Sequence, residues 1–329
     1  MQPAITDIYL KTTPTVIGTN NLWYVDTAKQ LSKINRRLYS QSRMYGLQGL
    51  TFIWKQKASS NVATIEVKVA TAGNTWIVQN AHVKGHALWN QMQQLVLEDN
   101  PSIAGTWHDF KIQLSDSVSV ARTLEALAGD GAPYEDGEWN LSSYVMPQHQ
   151  VSDGTQIDPV TGLPIPMGEP LPALEFTATL IGGETATKRS LVKAYQESRA
   201  TVQPFDPAVP AAMSTSFFNL LTDSGSQEPE LADVIEGEND QPPYSQANYP
   251  GGEVNADVPA IVGYGAISAT EVDGRIGGFV APCGLVEIQI NGYEADGSAV
   301  DDSDMPAIEL LLHVAPGSYK GVAAIPMGQ

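Results

Sequence analysis

The sequence predicts a mainly all-β fold with short helical insertions, arranged as two β-sandwiches in succession. Three observations carry that reading. Most apolar runs are short, alternate in polarity and end at Gly, Pro, Asn or Asp, which is the pattern of half-buried strands. The 329 residues, 42% of them apolar, suffice for two medium domains with real cores. A stretch containing Pro159, Pro164, Pro166, Pro170 and Pro172 interrupts the alternation near mid-chain and reads as a linker or long surface loop. The expected units are therefore 1–157, a proline-rich linker at 158–172, and an acidic second sandwich at 173–329 with long loops.

The elements follow in order. Leu47 to Lys55, Val62 to Ala70 and Thr75 to Gln79 read as strands. In the second of these, Ala63, Ile65, Val67 and Val69 share one face of the pleat, and Val62, Thr64, Glu66 and Lys68 share the other. From Val83 to Leu97 the period changes: Leu88, Met92, Leu95 and Val96 recur at helical spacing, and Asn100-Pro101 supplies a stop. Alternation returns at Trp107 to Leu114, Trp139 to Met146 and Ala173 to Ile181, while Arg189 to Val202 fits either strand or helix. Short helices are expected after Ser214 and at Glu230 to Ile235, followed by a long acidic excursion at Gly237 to Asp257. Val258 to Ser268, Gly277 to Ala281, Leu285 to Ile290 and Ile308 to Val314 complete the second set of strands.

Charge separates the two halves. The formal net charge of −19 comes entirely from the second: residues 1–150 carry 12 basic and 12 acidic side chains, residues 151–329 carry 6 and 25. Between Ala200 and Gly274 there are 12 acids and no Lys or Arg, a face that repels nucleic acid. A basic N-terminal arm is missing as well, so direct sequence-specific binding of nucleic acid is not expected. No apolar run reaches 18 residues and the N-terminus lacks a signal-peptide pattern, so a non-spanning chain is expected. Cys283 is the single cysteine and excludes an intramolecular disulfide.

Reactive constellations are weak. His82 and His86 stand at i and i+4, a spacing that lets two imidazoles reach one metal, but the Glu of the metalloprotease motif is Val83 and no third ligand is near. Ser190 and Lys193 spell S-x-x-K without its companion signatures, and Cys283 reads as a small core residue. Asp296, Asp301, Asp302 and Asp304 crowd one inter-strand loop. Asp301, Asp302 and Asp304 are candidate calcium ligands, although the spacing is not that of an EF-hand loop. Calcium is thus the one cofactor with any candidate residues, and the chain reads as a non-enzyme. Asn140-Leu141-Ser142 is a glycosylation sequon.

Three segments carry a resemblance: Asn35-Arg36-Arg37-Leu38-Tyr39 leading into the first strands, Trp107-His108-Asp109-Phe110-Lys111 after the helix, and Leu310 to Gly317 with Tyr319-Lys320-Gly321-Val322 near the end. With the two β-rich halves, they resemble the major capsid proteins of the double-jelly-roll lineage of tailless icosahedral viruses, including those of the lipid-containing single-stranded DNA phages of Flavobacterium and relatives. The resemblance implies two jelly rolls per chain and a homotrimer that forms a pseudo-hexagonal tile of a virion shell. Penton and minor capsid proteins, and an internal membrane, are the implied partners. It also implies that Lys29, Lys33, Arg36 and Arg37 face inward, toward lipid phosphates or neighbouring tiles. Two other readings stand beside it: a single-jelly-roll capsid protein with a projecting C-terminal domain, and a carbohydrate-binding or adhesive β-sandwich using Tyr244, Tyr249 and Tyr264.

Overall fold

A computed structural model describes residues 3–12, 21–54, 61–146, 151–157, 162–185, 187–200, 258–271, 273–300 and 305–328. The expected helices after Ser214 and at Glu230 to Ile235, and the excursion at Gly237 to Asp257, lie outside these residues.

Among the described residues the chain is mostly strand, and its two largest sheets are antiparallel. The first sheet has the order β1 (Asp7–Lys11), β12 (Glu309–Val314), β3 (Arg43–Ile53), β10 (Phe279–Pro282), with β9 (Asp273–Ile276) and β15 (Ala324–Pro326) also paired to β3. The second has the order β2 (Leu22–Asp26), β11 (Leu285–Tyr293), β4 (Thr64–Thr71), β8 (Ala260–Ser268). Alternation assigns the inner faces. Ile8, Leu10, Leu310 and Leu312 from one sheet pack in one apolar core with Ile65, Val67, Val69, Ile288 and Ile290 from the other.

The pairing is nested. β1 pairs with β12, β2 with β11, β3 with β10 and β9, and β4 with β8, all antiparallel. Counting β9 and β10 as one broken strand, these eight described strands pair as a long antiparallel hairpin folded into two facing sheets, a β-sandwich.

This corrects the expected division of the chain. The described strands of residues 173–329 do not make a sandwich of their own; β8 to β12 and β15 pair with strands of residues 7–71. Alternation reveals which residues form strands and is silent on their partners, so one sandwich built from both chain ends reads like two in series. The remaining β-structure is a three-stranded sheet, β5 (Ser143–Met146), β6 (Leu174–Thr179) and β7 (Lys188–Ser190), plus the small hairpin β13 (Pro316–Gly317) with β14 (Gly321–Val322). The proline-rich stretch lies between β5 and β6, which pair with each other, and its described part is tied together by bridges from Val151 to Pro170 and Ile157 to Pro164.

The described residues between β4 and β8 therefore form an insertion between two strands of one sheet. Its main helix, α2 (Trp76–Asp99), begins where a strand is expected at Thr75 to Gln79: the Thr75 hydroxyl accepts from the Val78 N–H and caps the first turn. Asn100 ends it, as the sequence indicates, and Pro101 opens a 3₁₀ turn. Leu95 and Val96, expected on the helix's buried stripe, are exposed. A second core joins α2 to Phe110, Tyr144, Phe176 and α3 (Leu191–Ala200) and continues to Tyr24, Met44 and Leu285 of the sandwich. Gly85 permits the closest approach, since a Cβ there would lie 2.7 Å from Leu191 Cδ2 while the Gly85 carbonyl accepts from the Tyr144 hydroxyl at 2.8 Å.

Other local expectations are adjusted by packing. Trp107 to Leu114 buries Phe110, Ile112 and Leu114 as its alternation requires but forms only an isolated bridge, at Gln113, to Thr179. Val62 precedes β4 and packs into the core rather than on the polar face. Before Arg36 come two strands and a helix, α1 (Thr27–Asn35), where the sequence reading placed no elements. At Gly49, with φ +143°, the register of β3 on β12 shifts by one residue. On the other side of β3, the partner strand breaks at Gly277-Gly278 into β9 and β10.

Candidate functional site

The densest polar grouping lies where α1 meets the insertion. Asp26 ends β2, and its Oδ1 accepts the Lys29 N–H at 3.0 Å, capping α1. Its Oδ2 accepts from Gln41 Nε2 and Trp139 Nε1, each at 2.8 Å. Burial pushes this carboxyl up to about 6, against the pull of the three donors and the Lys29 charge. Gln41 continues the network: its Oε1 accepts the Ile112 N–H at 2.7 Å, and its own N–H donates to Asp109 Oδ2 at 2.8 Å.

One turn along α1, Lys29 and Lys33 stand four residues apart and reach the same acids. Both ammonium groups lie 2.7 Å from Glu125, and 3.1 and 3.0 Å from Asp136. Gln30 completes the clamp, donating to Glu125 Oε2 at 3.0 Å and accepting the Ala126 N–H at 2.9 Å. Burial pulls the Lys29 ammonium down, but Glu125 and Asp136 outweigh it and hold its pKa above the ordinary value. Two of the four cations expected to face inward, Lys29 and Lys33, are thus paired with carboxylates of the same chain, with the Lys33 side chain 10% exposed.

Lys111 sits over Trp107 and Trp139, its Nζ 4.2 and 5.0 Å from the ring centres. Burial lowers its pKa, opposed by Asp109, Asp26 and Glu138. Ser142, of the sequon, is buried and accepts the Lys111 N–H.

His82 is buried with both ring nitrogens unpaired, 5.5 Å from Phe110 and 5.8 Å from His86 by ring centres. Burial, and secondarily His86, push it down to about 3. Ser190 Oγ accepts the Lys193 N–H, while the Lys193 ammonium faces Glu184 at 3.6 Å. Cys283 is buried, its thiol pushed well up by desolvation, at a turn with φ +57°. Asp296 accepts from the N–H and hydroxyl of Ser298. Among the described residues, no group of three or more His, Cys, Asp or Glu side chains is placed to hold a metal ion. Asp301, Asp302 and Asp304 lie outside those residues, as do Tyr244 and Tyr249, and Tyr264 is exposed on β8.

Arg36 and Arg37 have a different setting. Arg36 ends α1 in the left-handed conformation with φ 52°, exposed, and Arg37 Nη1 donates to the Lys320 carbonyl at 3.1 Å. They border a corner built with the chain's last segment, which the α1 sequence alone does not reveal.

The chain matches no protein-family profile, no curated protein and no solved structure. The reading of function therefore rests on fold and surface.

Sequence reasoning missed Gln41, Glu125 and Trp139 as partners of Asp26 and the α1 lysines. The only local signal was the alternation of polar with aromatic residues at Trp107 to Lys111, which marks a polar edge beside a buried one.

Proposed function

We propose that the chain is a major structural subunit of an icosahedral virus shell, working by self-association rather than catalysis. The observation that carries this reading is the nested pairing of eight strands, β1 with β12 through β4 with β8, in two facing sheets. Jelly rolls of this kind serve as capsid and lectin scaffolds, so the fold supports the proposal by analogy. The exposed apolar side chains of the insertion, Val151, Ile157, Leu163 and Met167, lie on a hydrogen-bonded loop and add surface suited to a neighbour.

The pseudo-hexagonal trimer of the double-jelly-roll lineage needs two sandwiches in each subunit. Here strands from both chain ends are consumed by one, which favours one jelly roll per chain. The projecting part in this reading is the insertion between β4 and β8, in place of a C-terminal domain. Its partners are further copies of the chain, with penton or minor shell proteins where the lattice closes, and its location is the virion.

Light scattering on the native protein followed by negative-stain imaging tests the proposal. Closed shells, or discrete oligomers at whole multiples of 35.2 kDa, are the expected result. A monomer that persists at all concentrations overturns it and redirects attention to ligand binding on the sandwich.

A further inference from the structure

The two large sheets of the sandwich end in four edges, and three of them are protected. β1 is bordered by the insertion, where the Leu127 N–H donates to the Tyr9 carbonyl at 2.8 Å. The same segment borders β2, with the Leu124 N–H on the Tyr24 carbonyl at 2.8 Å and a bridge from Tyr24 to Thr123. The edge beyond β3 is broken at Gly277-Gly278 into two four-residue strands, one carrying Asp273 and Arg275 and the other ending at Pro282. Short strands, charges and proline all keep an edge from pairing with another chain.

β8 has none of these. Ala260–Ser268 is nine residues long, is the longest described strand without a charged side chain, contains no proline, and pairs only with β4. The ladder fixes where its backbone groups point. The Ala269 N–H donates to the Ala63 carbonyl, one residue beyond the Thr64–Ser268 pair, so Ile267, Gly265 and Gly263 turn their N–H and C=O groups toward β4 and the residues between them turn theirs away. Ser268 agrees, since its N–H donates to the Glu271 carboxylate and its carbonyl accepts the Glu271 N–H. On that open side Tyr264 and Ala266 meet no backbone partner among the described residues. Both are exposed, Tyr264 by 59%. The strand's glycines belong to the interior: a Cβ at Gly263 would lie 2.3 Å from Ile276 Cγ2, and one at Gly265 3.0 Å from Phe52 Cε1.

We propose that the β8 edge pairs with the β8 edge of a second copy, antiparallel across a two-fold axis at Gly265, so that two subunits share one continuous sheet; the inference rests on the self-association proposed above. Open N–H and C=O groups in a row call for an extended strand as occupant. Charge selects which strand. A net charge of −19 sets two copies against each other, and the uncharged β8 is where they can meet without placing like charges opposite. A two-fold pair also satisfies both open edges at once. With Gly265 on the axis, Tyr264 of each copy lies opposite Ala266 of the other. Each of these pairs then exchanges both N–H and C=O groups, and the bulky exposed side chain of Tyr264 sits against the small one of Ala266.

Ala266→Pro tests the contact, because the N–H it removes serves no bond within the subunit and proline is tolerated at an outward position of an edge strand. Its circular dichroism and melting temperature should stay close to those of the wild type, while the concentration for half-association, read by analytical ultracentrifugation, rises at least about tenfold. Hydrogen exchange resolved to single amides by mass spectrometry gives a second readout. In the associated wild type, Tyr264 and Ala266 should be protected together with Gly263, Gly265 and Ile267. On dilution to the monomer the first two should exchange freely while the other three stay protected. If Ala266→Pro folds poorly, Tyr264→Lys combined with Ala266→Lys keeps the backbone intact and places like charges opposite each other in both pairs. Unchanged association of a folded variant, or free exchange of Tyr264 and Ala266 in the associated wild type, overturns the proposal and leaves self-association to another surface. Protection of these two amides in the dilute monomer also overturns it, assigning the edge to a segment of the same chain. A wild type that never associates overturns the self-association reading and this proposal together.

Discussion

The indole N–H of Trp139 donates to Oδ2 of Asp26 at 2.8 Å, so a side chain of the insertion completes the cap of the helix that follows β2. The contact fixes the insertion to the sandwich through a carboxylate that burial has made easier to protonate. Trp139→Phe should therefore cost about 2 kcal/mol at pH 8, where the donor serves a charged acceptor. The cost should fall by about half at pH 5. In the folded chain the carboxyl titrates near 6, and in the unfolded chain near its ordinary value of 3.8. As pH falls through that window the folded state takes up the proton first and gains stability from this group. Urea unfolding at the two pH values checks it; equal losses at both would remove Asp26 from the account.

His82 acts in the opposite direction. Its imidazole stays neutral in the folded chain down to about 3, whereas the unfolded chain binds the proton near 6.5. Stability from this group is complete above about 6.5 and is lost as pH falls toward 3. Relative to His82→Phe, the wild type should lose roughly 2–3 kcal/mol more between pH 6.5 and 4.5. Asp26 is common to both proteins and cancels in the comparison. Parallel pH profiles from denaturant titrations would contradict the assignment.

The lysine clamp should show graded losses. Glu125→Gln leaves Lys29 and Lys33 with only the more exposed Asp136, and a cost of about 1–2 kcal/mol is expected. Asp136 is 61% exposed, so Asp136→Asn should cost less than about 1 kcal/mol. Thermal unfolding in low and moderate salt separates them, since the exposed pair is the more readily screened.

Gly49→Ala should be among the most damaging small substitutions. The added Cβ would fall 2.2 Å from the Ile276 carbonyl oxygen, a backbone atom, at a φ of +143° that other residues avoid. A loss of at least about 2 kcal/mol is expected. Gly105→Ala is the control, because φ is +92° there but nothing lies within 4 Å of the new methyl. Its cost should be about 1 kcal/mol, the backbone contribution alone.

The contrast between sequence and structure follows the range of the interactions. Alternation located β3, β4, β8, β10, β11 and β12 to within a few residues, because the inner face of a strand is written every second position. The switch at Leu88 and Met92 located α2, and Asn100-Pro101 its end. Partnership is not local. Ile8 packs beside Leu312, and no pattern within either segment names the other, so one rolled hairpin resembled two sandwiches. The short β1 and β2 carry too few alternations to stand out, and Asp26 marks α1 only once the strand before it is known. Lys29 and Lys33 looked available because their acids, Glu125 and Asp136, stand far along the chain. The corner at Arg36 and Arg37 was half visible for the same reason: the two are adjacent, but Lys320 reaches them only through the fold.

Nested pairing also sets the order in which the chain becomes safe from misassociation. Asp7 lies opposite His313, so β1 meets its partner only 306 residues further along the sequence. The β4–β8 pair at the centre of the roll must itself wait for the whole insertion. Such long-range closure slows folding and leaves strand edges open during synthesis. Half-made chains with open strand edges are thus the ones exposed to misassociation with one another. Expression at lower temperature, or with a chaperone that covers exposed strands, is where yield of the native protein should be most responsive.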